Sequence, residues 1–145
     1  MTFENTLLNA LGEYLDSAGA GLWDPDTPYQ PTDTAITTDT LPLKVDKAIV
    51  MTLYPVQDEG TTDSIVGLQL RIRGKPNDRT SSKTILDNCF DALHGLQDVE
   101  LGGIPVIWVW RQSGANLGPD SSDRLEHTAN YYLQLTREGT HRNDD

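Results

Sequence analysis

Ile65–Arg73 alternates without a break: Val66, Leu68, Leu70 and Ile72 fall on one side, Gly67, Gln69, Arg71 and Arg73 on the other. Successive side chains of a strand point to opposite faces, so this segment is a strand with one face on a core and the other polar. The rest of the fold must be built around a sheet of that kind. Just upstream, Lys47–Tyr54 is rich in β-branched and apolar residues and is closed by Pro55, which marks a second strand. The polar connector Gln57–Thr62 contains Gly60 and is short enough to make the two an antiparallel hairpin.

Two segments carry the helical period instead. Phe3, Leu7, Leu8, Leu11 and Leu15 draw one apolar stripe, with Thr2 placed to cap its start and Gly19 to close it. Gly74, Pro76 and Asn77 break the alternating strand, and Asn77 or Asp78 can cap a second helix whose stripe is Ile85, Leu86, Cys89, Phe90 and Leu93, stopped by Gly95. Ile104–Gln112 reads as a third strand, apolar on both faces over Val106–Trp110, so each face needs cover. Ser113–Asp123 reads as a polar loop, and Thr128–Thr136 as a last strand with Ala129, Tyr131, Leu133 and Leu135 on its inner side.

Gly19–Val45 shows no period. Prolines and threonines dominate it, and a structureless stretch of this length is usually functional. The order is therefore helix, long loop, strand, strand, helix, strand, strand. The economical packing is an α+β fold: a four-stranded, mostly antiparallel sheet with both helices on one face. One domain over residues 1–145 is expected, with 19–45 as the long loop and 138–145 as a flexible tail.

Lys plus Arg total 11 against 22 Asp plus Glu, a formal charge of -11. Wrapping nucleic acid requires clustered Lys and Arg, so that class is disfavoured. No run approaches the ~18 apolar residues of a membrane helix. Met1–Gly12 has neither basic residues nor a long apolar stretch, so it does not read as a signal peptide. One cysteine excludes an intramolecular disulfide framework and a multi-cysteine zinc site. These features together lead us to expect a soluble, acidic protein made in the cytoplasm.

Candidate chemistry is sparse. Cys89 lies on the second apolar stripe and reads as a small buried hydrophobe. His94 reads as a charged cap on the carboxyl end of the second helix, His127 opens the last strand, and His141 lies in the tail; none has metal-ligand spacing with Cys89. Ser113 lacks the first glycine of a nucleophile elbow. A calcium loop beginning at Asp24 fails, with Tyr29 at the glycine position and Ala35 at the bidentate one. No catalytic, cofactor-binding or metal residue is therefore assigned, and no cofactor is expected.

Surface features say more. Arg71, Arg73, Lys75, Arg79 and Lys83 fall within 13 positions with Asp78 as their sole acid, while no Lys or Arg occurs before Lys44. A basic corner on one copy and an acidic surface on another suit each other. Trp108, Trp110, Tyr131 and Tyr132 would crowd a sheet face that two helices cannot cover, and Trp and Tyr are enriched in contacts between subunits. The expected interface residues are Arg71, Arg73, Lys75, Arg79, Trp108, Trp110 and Tyr132. Charge reversal at Arg71 and Arg73 is expected to weaken self-association more than subunit stability.

Leu41–Val56, Leu68–Gly95 and Trp110–Leu135, with the Gly21–Tyr29 segment and the order of elements, resemble the tail terminator (minor capsid) proteins of long-tailed bacteriophages. The resemblance covers most of the chain and rests on structural patterns rather than a signature motif. It implies a virion protein that forms a hexameric ring at the head-proximal end of the tail tube. Such a ring ends tube polymerisation and presents the head-joining surface. Its partners would be other copies of itself, the tail tube protein and a head-closure or connector protein, with DNA only passing through the lumen and no membrane involved. A neck component such as a head-closure or connector protein is the alternative; a small enzyme or a peptide-binding module is the rival from another class.

Overall fold

The computed structural model describes residues 2–142. Its elements are α1 (Phe3–Ser17), β1 (Thr34–Thr38), β2 (Lys47–Asp58), β3 (Asp63–Pro76), α2 (Ser81–Leu93), β4 (Gln97–Leu101), β5 (Ile104–Pro119) and β6 (Arg124–Thr136). The six strands form one sheet in the order β1-β2-β3-β6-β5-β4. β1 runs parallel to β2 and every other pair is antiparallel. The expected four-stranded, mostly antiparallel sheet is thus corrected to a six-stranded mixed sheet curled into a half-barrel.

Both added strands are five residues long and weakly signalled. β1 is Thr-Ala-Ile-Thr-Thr inside the proline- and threonine-rich stretch, and its partner is reached by a crossover rather than a hairpin. β4 is polar at most positions. Its clue was the Gly102–Gly103 pair, both at positive φ, which closes a two-residue hairpin between Leu101 and Ile104.

Three expected loops also contract. β5 continues through Ser113–Pro119, paired with Leu125–Asn130, so the supposed Ser113–Asp123 loop is a strand and a short turn. β2 runs past Pro55 because β1 ends opposite Met51, leaving Pro55 on a free edge where its missing N–H breaks no ladder. Residues 138–142, expected to be flexible, are tied down by Arg142. Its guanidinium donates to the carbonyls of Glu59, Thr61, Asp63 and Arg137 and to Ser64 Oγ, at 2.6–3.2 Å. The remainder of that expected tail, 143–145, lies outside the described residues.

The helices form as the stripes dictate. Thr2 Oγ1 accepts from the Asn5 N–H at 3.3 Å, and Gly19 and Gly95 take positive φ beyond the helix ends. At α2, Asp78 Oδ1 accepts from the N–H groups of Thr80 and Ser81. Those bonds hold its carboxyl below the usual range. Leu7, Leu11 and Leu15 of α1 and Ile85, Cys89 and Leu93 of α2 join Ile49, Met51, Leu68, Leu70, Ile72, Val106, Val109, Tyr131, Leu133 and Leu135 in one buried cluster. A bond from Tyr14 Oη to the Ala92 carbonyl, 2.5 Å, links the helices.

Candidate assembly surfaces

The face of the sheet turned away from this core is ordered by its register. Tyr54, Gly67, Tyr132 and Trp110 stand opposite one another across β2, β3, β6 and β5. A Cβ at position 67 would lie 2.2 Å from the Tyr54 ring, so glycine is what allows that ring to lie over the β3 backbone. Burial of the phenol, with Tyr132 nearby, raises the Tyr54 pKa. Trp110 meets Tyr132 edge to face at 5.7 Å and stacks with Trp108 at 4.5 Å. Trp108 itself is 41% exposed. The structure therefore brings Trp108, Trp110 and Tyr132 together, and adds Tyr54. An isolated glycine inside an otherwise regular strand was the available signal, since it marks a close approach.

Next to the aromatic row lies a polar one. Gln69 Nε2 donates to Asn130 Oδ1 (3.2 Å), and Asn130 Nδ2 donates to Ser113 Oγ (3.0 Å). One row further, Arg71 Nε donates to Glu126 Oε1 at 2.6 Å. Glu126 is buried while the Arg71 side chain is nearly half exposed, so this pair faces outward through its arginine.

The basic corner divides. Lys75, Arg79 and Lys83 are exposed and lack carboxylate partners among the described residues. Arg73 is 3% exposed. Its Nε donates to the Asp46 carbonyl and its Nη2 to those of Pro42 and Val45, at 2.5–2.8 Å. Burial lowers its pKa, with nearby Arg124 adding to the effect. A side chain committed in this way braces the 42–46 segment and is unavailable to a neighbour. Beside it, Arg124 bridges Asp46 (3.2 Å) and Asp120 (2.9 Å), closing the β5–β6 turn.

The remaining titratable groups have structural settings. Burial pushes the Cys89 thiol up to about 12. His94 ties the end of α2 to β5: its Nδ1 accepts from the Arg111 N–H at 3.0 Å, while its ring stacks on Phe90. His127 is buried in β6 with Nε2 3.0 Å from Ser82 Oγ. Burial and the Lys83 charge lower its pKa. Among the described residues no three His, Cys, Asp or Glu side chains are grouped to hold a metal ion, and no helix is long and apolar enough to cross a membrane.

Residues 14–137 match the family described as bacteriophage tail terminator protein. The chain belongs to that family. This tail terminator is accordingly a structural protein of the phage tail, in a family that is not an enzyme class. Its fold is similar to a chain in the structure titled "Virion of native gene transfer agent (GTA) particle". The likeness has a TM-score of 0.56 at 11% identity, over 69% of this chain and 78% of that one. No curated protein matches the terminator.

Proposed function

We propose that this terminator closes into a hexameric ring on the head-proximal end of the tail tube, stops further addition of tube protein, and offers the surface that joins the head. The observation that carries this reading is the family match over residues 14–137. The one-sided sheet supports it: both helices lie on one face, and the other presents Trp108, Trp110 and Tyr132 in a row. A neighbouring subunit or partner covers part of that face, and Arg71, Lys75 and Arg79 supply charge at its border. Arg73 drops out of this set because it is spent inside the subunit. Ring contacts are heterologous, one patch against a different one. The partners are further copies, the tail tube protein and a head-closure or connector protein, brought together in the host cytoplasm. DNA only passes through the lumen, and a net charge of -11 discourages it from adhering there.

The test is to add the purified protein to polymerising tube protein and image the products by negative stain. Tubes of arrested length, capped at one end by a six-fold ring, are expected. Tubes that lengthen as they do without it refute the terminating role. Binding to the connector but not to the tube would instead establish the neck-component alternative.

A further inference from the structure

The sheet is staggered. β4 accompanies only the first part of β5, up to Trp108. Beyond the bond from the Arg111 N–H to His94, no strand of the described residues lies along the edge of Gln112–Pro119 that faces away from β6. On the opposite edge β1 accompanies Lys47–Met51 of β2. One row of the register reads Thr37, Val50, Arg71, Thr128, Ala115, so β1 and the bare half of β5 lie at the same end of the sheet. They also run in opposite directions: β1 follows β2, and each of the next three neighbours reverses. A second copy rotated about an axis along the strands would set its β1 side antiparallel to the bare half of β5.

The chemistry of the two edges is complementary. Gln112–Pro119 carries no charge, and Leu117 is 50% exposed. Between this strand and α2 runs a groove of ≈ 470 Å³ lined by Leu86, Arg111, Asn116 and His127. The exposed cations beside it are Arg111, lying over the Phe90 ring at 4.4 Å, and Lys83, with the acids Asp87 and Asp91 following Lys83 at helical spacing along α2. On the other edge Leu22 pairs outside β1 through bonds of 2.8 and 3.0 Å to Thr34 and Ile36. Trp23 then packs back on α1, and Asp24–Asp33 follows with Pro25–Pro28 exposed and the Tyr29 hydroxyl held on the Ile36 carbonyl. Asp24, Asp26 and Asp33 on that segment join no ion pair among the described residues, and no Lys or Arg precedes Lys44. Three register shifts bend β5 within its pairing to β6. A bent, bulged edge rejects a flat foreign strand and admits a segment shaped to it.

We propose that the bare half of β5 and the α2 groove of one copy receive the Asp24–Asp33 segment of a second copy, with Asp24 and Asp26 meeting Arg111 and Lys83. This contact rests on the ring reading and names the two edges that would form the ring. Paired cysteines test it: Thr27→Cys with Ala115→Cys, against a control of Thr27→Cys with Val56→Cys on the bare half of β2. Cys89 is buried and contributes no background. Oxidation of copies assembled on tail tubes should give the first pair a ladder of covalent oligomers beyond the dimer, and the control none. Arg111→Glu with Lys83→Glu should weaken assembly at least tenfold, and mixing that variant with an Asp26→Lys chain should recover part of it. Assembled copies with no ladder, or a ladder in the control alone, overturn the contact and leave the ring standing. A wild-type chain that stays monomeric even with tubes present overturns both.

Discussion

Replacing Arg73 by Met removes a buried guanidinium that serves three backbone carbonyls, those of Pro42, Val45 and Asp46. A hydrogen bond to a charged group contributes roughly 1.5–3 kcal/mol, but the three share one side chain and are not additive. The upper bound is the roughly 3–5 kcal/mol seen when one partner of a buried ion pair is deleted. Pro42 and Asp46 are only half buried, so water can recover part of the loss there. Both limits point to about 3 kcal/mol. For a chain of this size each kcal/mol is roughly 2–4 °C, so the melting temperature should fall by about 6–12 °C. Urea and thermal melts supply the number, and amide exchange locates it, because the amides of residues 43–47 should exchange faster than the rest of the sheet. A loss under about 1 kcal/mol with unchanged exchange there would refute the reasoning. The expectation that charge reversal at position 73 acts mainly on self-association is thereby reversed. At Arg71, whose side chain is 45% exposed, it still holds as a proposal.

Gly12→Ala should destabilise by about 1–3 kcal/mol and redden the tryptophan emission, because its Cβ would lie 2.3 Å from the Trp23 ring; an unshifted spectrum with raised stability would show that the ring is free to move. Tyr131→Phe should be neutral or stabilising by up to about 1 kcal/mol in urea melts, since the buried Tyr131 hydroxyl has no hydrogen-bond partner among the described residues. His127 has a lowered pKa, so the fold favours its neutral ring. Its contribution is therefore fully present above the unfolded value of about 6.5 and is lost as pH falls below it. The urea midpoint should drop as pH falls below about 6.5 in the wild type, and less in His127→Gln; equal slopes would remove His127 as the cause.

The elements written in period or alternation were legible. The α1 stripe, the β3 alternation and the inner residues of β6 each specify a core face, and each occupies it. What escaped was encoded in pairing instead. β1 has five residues and no hairpin, and only the register with Lys47–Met51 reveals it. β5 was cut at Ser113 because its polar glycine-rich half resembles a loop, whereas two register shifts, at Arg111/Ser113 and Asn116/Gly118, let that half stay in the ladder. At the surface, the aromatic row could be anticipated from composition, but the fate of Arg73 could not. Arg71 and Arg73 share one face of β3 and the same chemistry. Only the fold of the 42–46 segment over one of them separates a surface charge from an internal brace.

The stacked indoles of Trp108 and Trp110 also make the molecule its own optical probe. Rings 4.5 Å apart and inclined by 27° are close enough for their transitions to couple, and that pair sits on the open face. The third indole, Trp23, lies against α1, with its Nε1 donating to Asn9. Circular dichroism of the pair therefore follows what covers the sheet, while the total emission, to which Trp23 also contributes, responds to the subunit fold as well. Assembly and unfolding can then be told apart in one unlabelled sample.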